Sequence, residues 1–230
     1  MSLRLDQRVL RVLLFLAGFA LTLEGCSQDR SPVAVTSGAQ AQIPSAPANA
    51  ALRLSTTPTG NQARYRVREQ LVNVDVPSDA VGTTSAVVGA LAFDSAGGII
   101  PSASRFEVQV SGLTSDRSRR DGYVRRRLLE TEQHPMVVFT PTAVRGIRLP
   151  LPQSGSQSFE LLGNLTVKGV TRPTTWQVSA QFAPEAVTGT SSTVFTFADF
   201  ALQQPRVPIL LSVADTIRLE YAFQLTPTRS

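Results

Sequence analysis

Gly163-Asn164-Leu165-Thr166-Val167-Lys168-Gly169-Val170-Thr171-Arg172-Pro173 decides the fold. An alternating run of β-formers enters it from Phe159, Lys168-Gly169 supplies a turn, and a second alternating run leaves it from Thr174 to Phe182. A period of two with a glycine turn between the runs predicts two antiparallel strands joined by a tight hairpin.

The same period recurs outward in both directions. Ala63, Tyr65 and Val67 alternate with Arg64, Arg66 and Arg68; Phe106, Val108 and Val110 alternate with Arg105, Glu107 and Gln109. Trp176, Val178, Ala180 and Phe182 alternate with Gln177, Ser179 and Gln181, and Ile217, Leu219, Tyr221, Phe223 and Leu225 follow the same rule. With Ser85–Phe93, Met136–Arg145, Gln157–Val167 and Thr193–Ala201, eight strands are expected, each with one apolar face. Gly97-Gly98, 150–155 and 184–189 carry turn residues. One segment, Arg117 to Glu130, spaces Tyr123, Arg127 and Glu130 as a helix does, with Asp116 or Ser118 as its cap. The class is all-β, antiparallel, with one short helix. Eight such strands form an up-and-down barrel or a sandwich, and a barrel of that size is either filled by side chains or holds one ligand.

The 230 residues are 42% apolar and 17% charged, which suits one globular domain with extensions. The charge is +5, from 22 basic and 17 acidic residues, and Lys168 is the only lysine. A charge of this size argues only weakly for nucleic acid, which is not expected as a partner. One cysteine excludes an internal disulfide framework, and one histidine, His134, leaves no His-based metal set or triad. No catalytic residue, metal or cofactor is therefore expected. His134 precedes Pro135 at a strand start and reads as a turn residue. Asn164-Leu165-Thr166 spells a glycosylation acceptor but falls on an expected strand.

The first 25 residues are set apart. Arg4, Arg8 and Arg11 precede a mostly apolar run from Val12 to Leu23, too short to span a bilayer and suited to a signal-peptide core. The run ends in Leu23-Glu24-Gly25-Cys26, which resembles a bacterial lipoprotein signal, with Glu24 in place of the usual small residue. Cys26 is then the lipidation site and mature N-terminus, the other readings being an uncleaved anchor or a plain secretory signal with an incidental thiol. The expected location is extracytoplasmic, at a membrane in the periplasm or on the cell surface. Residues 26–60, rich in Ala, Ser and Pro, read as a disordered tether, long enough to hold a domain about 30 Å from that membrane. The folded domain is expected over 61–230.

Three segments carry a resemblance. The first is Arg120-Asp121-Gly122-Tyr123-Val124, followed by Leu128-Leu129-Glu130-Thr131 and His134-Pro135-Met136-Val137-Val138-Phe139; the second is Gly163 to Pro173; the third is Phe197-Ala198-Asp199-Phe200-Ala201. Together with the strand Arg64–Gln70 and the closing strand Val213–Leu225, they resemble the YceI-like family over about residues 60 to 227. The chain departs from the family pattern at Phe197, where many members have arginine, at Ala201, where they have glycine, and at Tyr123, where histidine is common. The resemblance implies a lipocalin-like barrel that binds polyisoprenoids, hence a lipid carrier and no enzyme. The other reading is a solid barrel serving as a protein-interaction scaffold in the cell envelope.

A long apolar ligand needs an apolar sleeve and few directional contacts, so it leaves no compact motif. The candidates to line it are the apolar strand faces: Tyr65, Val67, Phe106, Val108, Val110, Val137, Phe139, Leu165, Trp176, Val178, Phe195, Phe197, Leu219 and Tyr221. Arg120 and Asp121 are candidates for a head group, or else form an ion pair that fixes the helix on the barrel. The dense cluster Arg117, Arg119, Arg120, Arg125, Arg126 and Arg127 reads as a solvated face or as an attraction for anionic lipid. The oligomeric state has no signature in the sequence.

Overall fold

The computed structural model describes residue 45, residues 47–72 and residues 74–229. The signal segment, Cys26 and most of the tether expected from the sequence lie outside the described residues.

Eleven strands form one antiparallel sheet: β1 (Ala50–Thr56), β2 (Gln62–Leu71), β3 (Ser78–Thr84), β4 (Val87–Asp94), β5 (Arg105–Gln109), β6 (Thr114–Ser115), β7 (Met136–Arg145), β8 (Gly155–Val167), β9 (Val170–Ala183), β10 (Ala186–Thr196) and β11 (Leu210–Arg229). Their order is β1-β4-β5-β7-β8-β9-β10-β11-β2-β3-β6, and β1 pairs back onto β11. β1 and β2 lie end to end along the same side of β11, since Thr56 opposes Leu225 and Gln62 opposes Ala222. β3 and β4 form a second broken stave, and β5 and β6 a third. Three broken staves and five continuous ones close an eight-stranded antiparallel barrel. The lipocalin-like barrel is thus present, closed through the pairing of β1 with β11.

The kink between β1 and β2 is held by Asn61. Its Nδ2 donates to Thr57 O at 2.8 Å, and its Oδ1 accepts from Tyr221 Oη at 2.6 Å and from Gln224 N at 3.2 Å. A buried amide is tolerated here because its donors and acceptor are engaged.

Four glycines of the wall are covered by aromatic rings. Tyr65 packs on Gly82, Phe106 on Gly89, Phe139 on Gly163 and Phe223 on Gly189; in each case an added Cβ would meet the ring within 3 Å. Three of these pairs stand directly opposite in register, at Tyr65–Gly82, Phe106–Gly89 and Phe223–Gly189. A glycine lets the wall bend, and the neighbouring ring restores the packing that the missing side chain leaves out.

The Gly163–Pro173 stretch is the expected hairpin. Val167 pairs with Val170, and Lys168 and Gly169 both have positive φ, 48° and 76°, as a two-residue type I′ turn requires. The turn is clasped from outside: Lys168 Nζ donates to Glu130 Oε1 at 2.6 Å, and His134 lies against Gly169. His134 is a packing residue at this turn.

Several expectations need correction. Residues 50–56 fall in the expected tether but form β1, and β3 was not expected at all. The helix runs only from Ser118 to Tyr123 (α1) and continues as a wider turn to Leu128. The strand expected over Thr193–Ala201 ends at Thr196, where Asp199 turns the chain by accepting from Thr196 N at 2.7 Å and Thr196 Oγ1 at 2.9 Å. The turn expected over 184–189 is confined to 184 and 185, and β10 resumes at Ala186.

Candidate functional site: the barrel cavity and its mouth

Because the strands alternate, every second side chain enters the barrel, and the entering set is mostly apolar, with Glu69 and Thr84 among the polar exceptions. These side chains do not meet at the axis. They enclose a cavity of about 940 Å³, at the upper end of the range usual for small-molecule sites.

All fourteen apolar residues singled out from the strand faces border this cavity. They come from β2 (Tyr65, Val67), β5 and its end (Phe106, Val108, Val110), β7 (Val137, Phe139), β8 (Leu165), β9 (Trp176, Val178), β10 and its end (Phe195, Phe197) and β11 (Leu219, Tyr221). The floor is built by Leu54, Phe93, Phe182 and Leu225, which the sequence reasoning left out. Phe182 and Leu225 continue runs that had been read as strands, so the signal for them was present. Aromatic contacts stiffen the wall: Phe139 and Trp176 are 5.5 Å apart, and Phe106 and Tyr221 meet edge to face at 6.1 Å.

The cavity opens at the end of the barrel that carries α1, residues 74–77 and the loop between β10 and β11. Exposed Arg117, Arg119, Pro208 and Ile209 belong to its lining there. Arg120 also borders the mouth. It bonds to Glu69 on β2 and to Asp116, so it ties α1 across the opening. Asp121 does not border the cavity; its carboxylate is buried under the helix and accepts from Ser115 Oγ at 2.6 Å. Arg120 and Asp121 therefore part company: one faces the mouth, the other anchors the helix. Of the remaining arginines, Arg125 donates to Ser111 O at 3.4 Å, and Arg126 and Arg127 are exposed.

Two polar atoms in the wall have no partner: Tyr65 Oη and Trp176 Nε1. Burial is the main reason that the Tyr65 phenol is pushed up to about 12; the nearby Arg120 guanidinium opposes the shift, and Asp121, Glu69 and Asp116 reinforce it. Burial likewise raises the Tyr221 phenol, although its hydroxyl is bonded to Asn61. Neither a metal nor a nucleophile is suggested by these groups. Among the described residues no three of His, Cys, Asp or Glu gather in one place.

The third motif gains a structural explanation. Phe197 and Phe200 are buried, with Phe195 and Phe200 in edge-to-face contact at 4.6 Å. Ala201 follows with φ 53°, a left-handed conformation that glycine adopts freely.

Comparison with known proteins matches residues 55–225 to the YceI-like domain. No curated protein matches the chain. Among solved structures, a polyisoprenoid binding domain from Saccharophagus degradans superposes with a TM-score of 0.59 at 14% identity, over 78% of this chain and 99% of that one. BcnA from Burkholderia cenocepacia gives 0.51 at 15% identity, over 73% and 96%. The YCEI protein of Campylobacter jejuni gives 0.50 at 13%, over 70% and 91%. At these identities the likeness is one of fold.

Proposed function

We propose that this chain, which belongs to the YceI-like domain family, is a lipid-binding barrel that holds an isoprenoid or similar long-chain amphiphile in its interior. The observation that carries the reading is the cavity: about 940 Å³, with mostly apolar walls and with exposed residues in its lining at the α1 end. A polyprenyl tail gains about 0.8 kcal/mol for each methylene-sized group it brings out of water into such a sleeve. The Saccharophagus neighbour, a polyisoprenoid binding domain, supports the ligand class. The two unpartnered donors, Tyr65 Oη and Trp176 Nε1, favour a ligand that carries at least one oxygen over a plain hydrocarbon.

The hollow interior favours a carrier over the solid scaffold that the sequence left open. We read the protein as a binder rather than an enzyme, since the charged groups at the mouth, Arg120, Glu69 and Asp116, are occupied with one another. The arrangement of Arg4 to Cys26 supports export and lipidation at Cys26, which would place the barrel beside a membrane outside the cytoplasm.

Trp176 is the only tryptophan of the chain and sits in the cavity wall. Titration with a long-chain polyprenyl alcohol should change its fluorescence saturably, and a short soluble alcohol should not. Absence of any saturable response to polyprenyl alcohols, with the protein folded by circular dichroism, would overturn the reading.

A further inference from the structure

Among the described residues, five large hydrophobic side chains are exposed, and four of them belong to one place. Val74 (38% exposed) and Val76 (67%) lie on the turn between β2 and β3, and Ile209 (53%) and Leu211 (64%) lie where the chain enters β11. The two segments are joined: Val72 N donates to Ile209 O at 2.9 Å, and Leu71 pairs with Leu210. The tips are thus held side by side, on the rim of the cavity that Val207, Pro208 and Ile209 line. Exposed apolar side chains gathered on one rim, with Val194 on β10 the one other large hydrophobic exposed among the described residues, mark an interaction surface.

The charges around the mouth say what kind of surface it meets. Arg117 and Arg119 are exposed on the mouth and Arg206 is exposed on the adjoining loop. The acidic groups in the same region are Asp75, between the two valines, Glu69, which is paired with Arg120, and Asp116, which is also engaged by Arg120 and lies 3.6 Å from Arg117. Apolar tips bordered by guanidinium groups fit a bilayer, where an anionic head-group layer covers hydrocarbon. Each basic residue near such a surface contributes about 1 kcal/mol, and small apolar tips add insertion at the head-group boundary.

We infer that the mouth rim docks directly on an anionic lipid bilayer, with Val74, Val76, Ile209 and Leu211 entering the head-group boundary and Arg117, Arg119 and Arg206 meeting phosphates. Docked in this way, the cavity opens onto the bilayer, and an apolar ligand passes between the two without crossing water. That transfer step rests on the lipid-binding reading; the docking does not.

The test is hydrogen–deuterium exchange of the full-length chain with vesicles of equal parts phosphatidylglycerol and phosphatidylcholine, compared with phosphatidylcholine alone. Peptides covering 72–77 and 205–211 should exchange more slowly with the anionic vesicles and change little with the zwitterionic ones. Paired Val76→Asp and Leu211→Asp substitutions, both at exposed positions, should abolish that protection and weaken the rim's vesicle affinity about tenfold or more. The local readout separates the rim from any attachment through the N-terminal segment. Unchanged exchange in both rim peptides on anionic vesicles would overturn the proposal, as would equal protection in the doubly substituted protein. Either result would leave the polyprenyl titration of the cavity intact, so the two proposals fail separately.

Discussion

Tyr65 on β2 stands directly opposite Gly82 on β3, and its ring occupies the space in which a side chain at position 82 would lie. The pairing sets the position of a cavity wall residue. An added Cβ at Gly82 would collide with Tyr65 Cε1 and approach Leu113 Cδ2 to 2.6 Å. Gly82→Ala is therefore expected to destabilise the barrel by about 1–3 kcal/mol through overpacking, and to push the Tyr65 ring toward the ligand space. A denaturant midpoint measures the first effect, and weakened polyprenyl binding the second.

The unpartnered donors make a different expectation, in which stability and binding separate. Removing a buried hydroxyl or indole N–H that has no protein partner costs the fold little and can stabilise it. If the ligand's oxygen uses these donors, each lost bond should weaken binding roughly 2- to 10-fold, the equivalent of about 0.5–1.5 kcal/mol. Tyr65→Phe should thus melt at or above the parent temperature while releasing ligand faster, whereas Trp176→Phe also loses ring packing against Phe139 and should melt lower as well as release ligand faster. Tyr65→Phe should also remove a phenolate that appears at about 12 in an ultraviolet pH titration.

Ala201 tests the reading of the third motif. Its φ of 53° suits glycine better than alanine. Relief of left-handed strain is partly offset by the greater freedom of glycine in the unfolded chain, so Ala201→Gly should stabilise by roughly 0.5–1 kcal/mol. Chemical denaturation decides it; a loss of stability would show that the turn is held by something other than its backbone.

Asp199 gives the same turn a pH dependence. The Thr196 amide, and then the Thr196 hydroxyl, hold its carboxyl below the ordinary aspartate value. A depressed folded-state value stabilises above the unfolded value of about 3.9 and ceases to do so as pH falls through the folded-state one. Melting curves of the parent and of Asp199→Asn should therefore differ at neutral pH, with the parent higher, and converge as the pH drops below about 4. A gap that stays constant into strong acid would remove Asp199 as the source.

How far the sequence revealed this molecule depended on what each inward face carries. The faces of β9 and β11 present Trp176, Val178, Leu219 and Tyr221, and large apolar residues at a period of two announce a wall. β3 offers only Ala80, Gly82 and Thr84 inward, because Tyr65 and Leu113 need that room, so its period is hidden by small side chains. β1 has a clear Ala50, Leu52, Leu54 face, but it is embedded in an Ala/Ser/Pro-rich stretch that reads as tether. The helix is shorter than its spacing suggests because its last turn widens between Val124 and Leu128. For the site, alternation named the fourteen wall residues, since in a closed barrel the apolar face points inward. It had no means of separating Arg120 from Asp121, whose neighbours Glu69 and Ser115 come from other strands. Nor did it find the rim, because Val74, Val76 and Ile209 lie in turns, where period two does not apply, and Leu211 is only the second residue of β11.

The most direct test of the central claim is extraction of the protein, purified from its native host without detergent exchange, followed by mass spectrometry of what it releases. A barrel with a cavity of about 940 Å³ and apolar walls is expected to release a long-chain isoprenoid or similar amphiphile in near-stoichiometric amount, and the emptied protein to take it up again. Protein that releases nothing and binds no long-chain isoprenoid when offered would contradict the account.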